Sequence, residues 1–274
     1  MLEDSYGIAK RIEFVAGILG SSRPARVLDI GCGTGSNLTV PLARRFPETN
    51  FLGVDSDRTS IDYANQEYSA NNLSFRVRED VEDLGQFDLI IASEVIEHVE
   101  APDDFLVFLR SHLAPGGRLV VTLPNGWGPF ELTSLFETLL HLSGLYAILR
   151  ALKRRLRGNP LVNVTVDTLA ISPHINFFSH GEINNLFARQ GFRVAGYRPR
   201  TLLCGFGFDQ LMASQRVILW NSRWVDRLPP PLASAWMFLL SPEDNPTAQL
   251  PPPFRRGLYA RLRRYLNEKR WHLR

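Results

Sequence analysis

Three glycines alternate with other residues in the stretch ARVLDIGCGTGSNL, which covers residues 25–38. Gly31, Gly33 and Gly35 form a bare loop between an apolar strand and a helix, with Asp29 just before them. Glycine lets the backbone approach a ligand closely, and the following helix begins with free N–H groups. Asp29 would repel a pyrophosphate and attract a ligand ammonium. The pattern predicts a ligand-binding loop, and capping of a turn is the alternative role for Asp29.

Two more aspartates end the next predicted strands. Asp55 ends NFLGVD (50–55), where a carboxylate can accept hydrogen bonds from both hydroxyls of a ribose. Asp80 ends LSFRVRED (73–80), where it can accept a hydrogen bond from an exocyclic amine. A single aspartate is more often a solvated turn residue. Three acids at the carboxyl ends of successive strands favour one binding edge.

A cluster of two glutamates and a histidine follows the fourth predicted strand. Glu94, Glu97 and His98 are spaced to share one face of a helical turn, at the same edge as the glycine loop. His98, with Glu97 beside it, can act as a general base toward a hydroxyl group. Alternatively, the three residues bind a divalent metal together with His174, or only support the loop and contact the ligand. We favour the base or the supporting role over the metal.

The predicted positions of these residues depend on an alternation of strands and helices along the chain. The second, fourth and fifth strands are nearly continuous apolar runs, as strands buried on both faces should be. The alternation predicts an α/β fold, a doubly wound, mostly parallel sheet with helices on both faces. The predicted strands cover 26–30, 50–55, 73–80, 86–94 and 118–124, and the helices 36–46, 57–72 and 102–113.

The regular alternation of strands and helices ends at Pro124. Residues 179–191 are predicted as a helix with a capping box of Ser179 and Glu182, followed by strands at 192–199 and 233–242. The sequence predicts an N-terminal helix (1–23, ending at Gly20), a binding core (24–124), an inserted helical segment (125–172), the completion of the sheet (173–250) and a basic amphipathic tail (251–274).

Positive charge is concentrated in two short segments of this 274-residue chain, whose net charge is only +3. Residues 150–157 hold five basic residues and no acid, and residues 254–274 hold eight basic residues and one acid. Leucines at helical spacing over 130–157 predict an amphipathic helix that meets an anionic membrane surface or a lipid-like acceptor. The tail at 254–274 repeats the pattern and predicts a second contact with an anionic membrane. Packing on the core, or on a second subunit in a homodimer, is the equally weighted alternative.

The two cysteines and the N-terminal sequence indicate the cellular compartment of the protein. Cys32 and Cys204 lie far apart, which argues against a disulfide framework or a cysteine zinc site. The N-terminus does not have the pattern of a signal peptide, and no apolar run reaches about 18 residues. We therefore expect a cytoplasmic protein, with the membrane surface as a second location.

Five segments, in order, resemble the motifs of class I S-adenosylmethionine-dependent methyltransferases: VLDIGCGTG, LGVDSD, REDVEDL, FDLIIASEVIEHV and LAPGGRLVVTLPN. The resemblance covers residues 24–200. It implies an enzyme with a seven-stranded Rossmann-like methyltransferase fold and an antiparallel seventh strand, to which the residues after Pro124 add the inserted helical segment after strand five. It implies S-adenosylmethionine as cofactor, with its methionine end at Asp29 and the glycine loop. The other implied cofactor residues are Asp55 at the ribose, Asp80 and Val81 around the adenine, and Cys32, Ser56, Ser93 and Glu94.

Within that superfamily, EVIEHV and HINFFSHGEINNLF look most like the ubiquinone-biosynthesis O-methyltransferase branch. Both also resemble terminal 2′-O-methyltransferases of small RNAs, which hold a divalent metal with a set matching Glu94, Glu97, His98 and His174. The chain lacks a clear RNA-binding module, and its basic clusters lie among leucines. We therefore favour O-methylation of a small or lipid-like acceptor, with RNA methylation and non-catalytic S-adenosylmethionine binding as alternatives. A nicotinamide dehydrogenase ranks lower, because its loop would read GxGxxG.

Overall fold

The computed structural model describes residues 2–80, 84–148, 173–204, 215–243 and 252–271. The strands are β1 (Arg26–Ile30), β2 (Asn50–Asp55), β3 (Leu73–Val77), β4 (Phe87–Ser93), β5 (Leu113–Pro124), β6 (Phe192–Pro199) and β7 (Ala235–Pro242). The helices are α1 (Leu2–Ser22), α2 (Thr39–Arg45), α3 (Arg58–Glu67), α4 (Pro102–Ser111), α5 (Pro129–Leu142), α6 (His180–Arg189), α7 (Gln215–Val225) and α8 (Leu258–Arg270).

The strands form one sheet in the order β3-β2-β1-β4-β5-β7-β6. All neighbours are parallel except β7, which is antiparallel to both β5 and β6. The predicted doubly wound, mostly parallel sheet with an antiparallel seventh strand is confirmed. The chain passes from β1 outward to β2 and β3, and then returns to place β4 on the other side of β1. Such a reversal opens a crevice at the carboxyl ends of the strands, where ligands bind in open α/β sheets.

Both faces of the sheet are buried, which explains the apolar runs in the central strands. Ile90 of β4 belongs to a core cluster with residues of α4 and α6, whereas its neighbours Leu89 and Ile91 pack with residues of α1 and α2. Successive strand residues point to opposite faces, so a strand covered on both sides needs apolar residues throughout.

Several element bounds differ from the prediction. Helix α2 begins at Thr39 rather than at 36, because Gly35 is still in the left-handed region with φ 70°. Strand β3 ends at Val77, and residues 78–80 form a single 3₁₀ turn. Strand β5 begins at Leu113 rather than at 118, since Leu113 already pairs with Phe87, and the pairing register shifts between Phe87 and Leu89. The capping box of Ser179 and Glu182 is confirmed.

The inserted segment was predicted as one amphipathic helix over 130–157, and this is wrong at Gly144. Helix α5 ends at Leu142, and Gly144 has φ 78°, a conformation that interrupts an α-helix. Residues 149–172, with the first basic cluster, lie outside the described residues. Helix α5 buries Glu131 and Thr138, whereas Leu132 remains 49% exposed.

The predicted basic tail forms α8, which is bound to the body of the protein by ion pairs. Arg264 pairs with Glu100 in the turn after β4, Arg270 pairs with Glu137 of α5, and Arg263 pairs with Glu131. Much of the positive charge of the tail is therefore used within the molecule. Among the described residues, the length and hydropathy of each helix fall short of what a membrane crossing requires.

Candidate active site

The glycine loop follows β1 and has an unusual backbone. Gly31, Gly33 and Gly35 all have positive φ, at 72°, 55° and 70°. A Cβ atom added at Gly31 would lie 2.4 Å from a methyl group of Val95, in the turn after β4. Left-handed backbone and lack of space therefore both require glycine at this position. The loop lies against the turns that follow β2 and β4.

Asp55, at the end of β2, holds this loop in place. Its two carboxylate oxygens accept hydrogen bonds from the backbone N–H of Gly33 at 2.8 Å and of Asp57 at 2.9 Å. Asp57 in turn caps α3 by accepting from the N–H of Ser60. Asp55 is only half-buried, and a carboxylate oxygen can accept more than one hydrogen bond. Its predicted contact with a ribose is compatible with this geometry and stays a prediction.

The other acids of the predicted cofactor site lie in different surroundings. Asp29 is buried and accepts a hydrogen bond from the hydroxyl of Thr39 at 2.6 Å, which joins β1 to α2. Asp80 is exposed and pairs with Arg58 at 2.8 Å, and this hydrogen bond lowers the pKa of Asp80. Cys32 is buried within the loop, and Ser56 is exposed after β2. The position of Val81 lies outside the described residues.

Glu94 begins the turn after β4 and takes part in a polar network. Its φ is 58°, and its carboxylate accepts from the Thr122 hydroxyl at 2.7 Å and pairs with Arg200 at 3.1 Å. Burial would raise the pKa of Glu94, but Arg200 and Arg11 outweigh it and lower that pKa to about 2. Ser93 hydrogen-bonds to Arg11 at 3.0 Å. The two arginines were not predicted, because neither belongs to a motif.

Glu97 is buried without the partners that a carboxylate needs. Its side chain is 1% exposed, and neither carboxylate oxygen has a hydrogen-bond partner among the described residues. Burial and the nearby charge of Glu94 raise the pKa of Glu97 to about 8. An unpaired buried carboxylate is costly, so this group needs a proton, a cation or a hydrogen-bond donor from a ligand.

Two histidines adjoin Glu97 and complete what we call the Glu97 cluster: Glu97, His98 and His174. One potential ligand atom from each lies within 4.8 Å of the others, and the two rings meet edge to face at 4.9 Å. Glu94, the fourth predicted metal ligand, is not part of this group and instead contacts Thr122 and Arg200.

The two histidines of the Glu97 cluster differ in charge. His98 donates from Nδ1 to the carbonyl of Pro173 at 3.2 Å, and burial together with His174 lowers the pKa of His98 to about 4. Burial also opposes charge on His174, but Glu131 overcomes this and raises the pKa of His174 to about 9. At neutral pH the His98 ring is therefore neutral, and the His174 ring is positively charged, with a proton on both nitrogens.

His174 reaches the cluster through backbone hydrogen bonds of the segment that follows the insertion. The carbonyl of Glu97 accepts from the N–H groups of Ile175 and Asn176, both at 2.9 Å. The Asn176 side chain donates to the carbonyls of Ile96 at 3.0 Å and Val99 at 2.7 Å. These contacts hold residues 173–178 against the turn after β4, which brings a distant histidine beside His98.

Two further buried residues at the cluster were missed by sequence reasoning. Glu131 of α5 accepts from Nδ1 of His174 at 2.5 Å and pairs with Arg263 of α8 at 2.6 Å. The predicted acceptor-facing insertion and the basic tail thus both reach the site. The sequence carried one signal, an acid in the first turn of the inserted helix, but nothing that matched it to Arg263.

Comparison with known proteins identifies the family. The family model described as "Methyltransferase domain" matches residues 3–196 of this chain. The chain belongs to the methyltransferase domain family. This agrees with the strand order and with the glycine loop. The family predicted from the motifs is confirmed, and with it S-adenosylmethionine as the family's cofactor and the fold class.

Curated relatives of this chain match it mainly over the motif-bearing part. The chain is 38% identical over 101 residues to trans-aconitate 2-methyltransferase of Deinococcus radiodurans, covering 36% of this chain and 38% of that protein. It is 37% identical over 112 residues to a ubiquinone biosynthesis O-methyltransferase of Bradyrhizobium diazoefficiens, covering 39% of this chain and 43% of that protein. The chain thus matches less than half the length of either relative.

Solved structures share the fold of this chain at low sequence identity. The O-methyltransferase of a trans-AT PKS multienzyme from Brevibacillus brevis, in complex with S-adenosyl-L-homocysteine, is 16% identical with a TM-score of 0.51, covering 99% of this chain and 81% of that one. PKMT2 from Rickettsia typhi is 18% identical with a TM-score of 0.50, covering 82% of this chain and 50% of that one.

Proposed function

We propose that this protein transfers the methyl group of S-adenosylmethionine to a hydroxyl oxygen of a small or lipid-like acceptor. The observation that carries the proposal is the unpaired carboxylate of Glu97, buried beside two histidines at the same edge as the glycine loop. A hydroxyl group that enters there meets Glu97, which can orient it, and His98, which can accept its proton. The relatives named for O-methylation in ubiquinone biosynthesis support the same acceptor atom.

The cofactor half of the proposal uses the turns after β1, β2 and β4. Backbone N–H groups of the glycine loop and the carboxylate of Asp55 hold the cofactor, and Asp29 orders the loop from beneath. Asp80 and Ser56 lie toward the exposed end of this edge. Ser93 and Glu94 border it on the other side. When bound, S-adenosylmethionine supplies the methyl group as a sulfonium, so the acceptor oxygen displaces neutral S-adenosylhomocysteine.

We assign His98 as the general base of this reaction. The carbonyl of Pro173 can only accept, so Nδ1 of His98 carries the proton and Nε2 carries the lone pair. As the oxygen–carbon bond forms and the carbon–sulfur bond breaks, the hydroxyl proton passes to Nε2 of His98. Glu97 orients the hydroxyl group. Positioning and proton removal are sufficient for this transfer, because the sulfonium is already a good leaving group.

A divalent metal is the second candidate at the same residues. Glu97, His98 and His174 offer one carboxylate and two imidazole ligands whose atoms lie within 4.8 Å of one another, and the unpaired state of Glu97 favours a cation. A bound ion would take the place of the Nε2 proton of His174. A bound ion would lower the pKa of the acceptor hydroxyl. Glu94 would not be among its ligands, since its carboxylate is engaged by Thr122 and Arg200.

We further propose that the protein works in the cytoplasm, in peripheral contact with a membrane. The outer face of α5 leaves Leu132 49% and Leu139 47% exposed, beside a described stretch in which Leu145 is 50% exposed. Such a face suits the acyl boundary of a bilayer and would place a lipid-like acceptor near the cluster.

A methyl-transfer assay over hydroxyl acceptors tests the proposal. Labelled S-adenosylmethionine is offered with phenols, quinols, sugars, lipids and RNA ends, each with and without a chelator. We expect transfer to a phenol, quinol or lipid hydroxyl. Activity that survives exhaustive chelation excludes the metal, whereas cofactor binding without any transfer identifies a non-catalytic binding protein. Transfer only to RNA ends would overturn the choice of acceptor.

A further inference from the structure

Two opposite charges are buried together behind the Glu97 cluster, and the proposed reaction does not use them. Glu131 in the first turn of α5 and Arg263 in α8 are each 1% exposed and lie 2.6 Å apart. Removing both charges from water is costly, and well-packed apolar residues in place of such a pair are often equally or more stable. Stability alone therefore does not explain the pair.

The burial of Arg263 costs free energy for a further reason. Its Nε and Nη1 atoms are buried without a hydrogen-bond partner among the described residues, and only Nη2 reaches Glu131. The guanidinium lies over the ring of Phe177, 4.9 Å from its centroid, where an apolar side chain would also pack. The charge of Arg263 is thus directed to a single carboxylate.

That carboxylate divides its two oxygens between two partners. Oε2 of Glu131 accepts from Arg263, and Oε1 accepts from Nδ1 of His174 at 2.5 Å. The same helix that carries Arg263 also holds the backbone of the histidine, since Asn267 donates to the carbonyl of His174 at 3.2 Å. The ring and the main chain of His174 are both held from α5 and α8.

We infer that Glu131 and Arg263 are positioning residues that fix His174 in the Glu97 cluster. A carboxylate that accepts from one ring nitrogen determines which nitrogen faces the reactive side, and this pattern is common behind histidines that bind metals. Nδ1 is held by Glu131, so Nε2 serves the cluster. Arg263 keeps the carboxylate oriented. The inference rests on the proposed role of the cluster and extends the site to the inserted helix and to α8.

Manganese binding to the purified full chain is the first test. Glu131→Gln cannot serve both partners, because the amide nitrogen only donates. We expect a loss of Mn²⁺ affinity of about 10–100-fold, the usual effect of losing such a partner, with unchanged affinity for S-adenosylmethionine. Arg270→Met is the matched control, since it breaks another ion pair between α5 and α8, with Glu137, and should keep Mn²⁺ affinity.

A double variant separates positioning from folding. Glu131→Leu combined with Arg263→Met replaces the buried pair with apolar side chains, so it should fold at least as stably as the parent and still lose Mn²⁺ affinity. If the double variant and Glu131→Gln both bind Mn²⁺ as the parent does, the inference is overturned.

If the parent protein binds no Mn²⁺, the metal is excluded from the cluster, but the positioning of His174 is still open to test. Nitrogen-15 spectra of the histidines then provide that test. The chain has six histidines, and His174→Gln identifies the signals of His174. We expect a downfield Nδ1 proton on His174 that exchanges slowly with solvent. It should be retained in Arg270→Met and lost in the double variant. A His174 proton unchanged in the double variant would overturn the inference.

Discussion

The glycine loop and the Glu97 cluster lie at the same edge of the sheet, but they are assembled from different distances along the chain. Asp55 reaches the loop across 22 residues, through a hydrogen bond to Gly33. In the cluster, His98 contacts Pro173 across 75 residues, and Glu131 meets Arg263 across 132. The loop is held by backbone geometry within two adjoining βα units, and the cluster by packing between elements from the whole chain.

This difference implies different weaknesses. The loop depends on glycines in the left-handed region and on one carboxylate, so single substitutions should damage cofactor binding locally. The cluster depends on buried charges supplied by the turn after β4, by α5, by residues 173–178 and by α8. A change in any of these elements should alter chemistry on the acceptor side while cofactor binding is kept.

The largest effect should come from His98. We expect His98→Ala to lower the rate of methyl transfer by about 100–10,000-fold, the usual contribution of a general base, with unchanged affinity for S-adenosylmethionine. The measurement is single-turnover transfer together with calorimetric titration of the cofactor. His112→Ala is the control, because His112 follows α4 at the opposite edge and its ring hydrogen-bonds to the nearby hydroxyl of Ser111 and carbonyl of Phe108. Unchanged turnover in His98→Ala would exclude the base.

Asp55 should show the reverse pattern. Asp55→Ala removes a charged acceptor that also braces the loop, so cofactor affinity should fall about 10–100-fold, equivalent to about 1.5–3 kcal/mol. Asp57→Ala is the matched control two residues on. It removes the cap of α3, which should cost about 1 kcal/mol of unfolding free energy, and should leave cofactor affinity near that of the parent. Equal cofactor affinity in Asp55→Ala and the parent contradicts the assignment.

The same contrast explains how far the sequence could be interpreted. The sheet, the antiparallel β7 and the glycine loop are local or motif-borne, because strand periodicity and glycine spacing are set by nearby residues. The sheet and the antiparallel β7 are confirmed by the structure, and ligand binding by the glycine loop stays a prediction.

The cluster could be predicted only in part. Glu97 and His98 follow β4 directly, so the sequence predicted their place at this edge of the sheet. His174 was included in the predicted metal set because of the family resemblance. Arg263 was interpreted as part of a membrane-facing basic tail, because charge spacing along a helix does not reveal which charge will be buried. The break of the inserted helix at Gly144 was also missed, since the apolar spacing continues across it.

The loop's dependence on backbone geometry gives a stability prediction. Gly31→Ala puts an L residue at φ 72° and a methyl group against Val95, so the unfolding free energy should fall by at least about 1–2 kcal/mol. Gly17→Ala in α1 is the control, because a Cβ there meets nothing within 4 Å. It should stabilise the protein by up to about 1 kcal/mol. Urea unfolding measures both, and equal stability of the two variants would remove the strain argument.

The smallest effect concerns the outer face of α5, where the cluster's supporting helix meets the surface. Leu132→Ser with Leu139→Ser removes two half-exposed leucines, so the unfolding free energy should change by less than about 1 kcal/mol in total. If this face enters a bilayer, the double variant should bind anionic vesicles about tenfold more weakly, because each leucine contributes roughly 1 kcal/mol or less at partial burial. Val107→Ser, a 54% exposed residue of α4, is the control and should keep vesicle binding. Co-sedimentation at moderate salt measures all three proteins. If the parent does not sediment with vesicles, α5 serves the site through Glu131 alone, and the lipid-like acceptor loses its structural support.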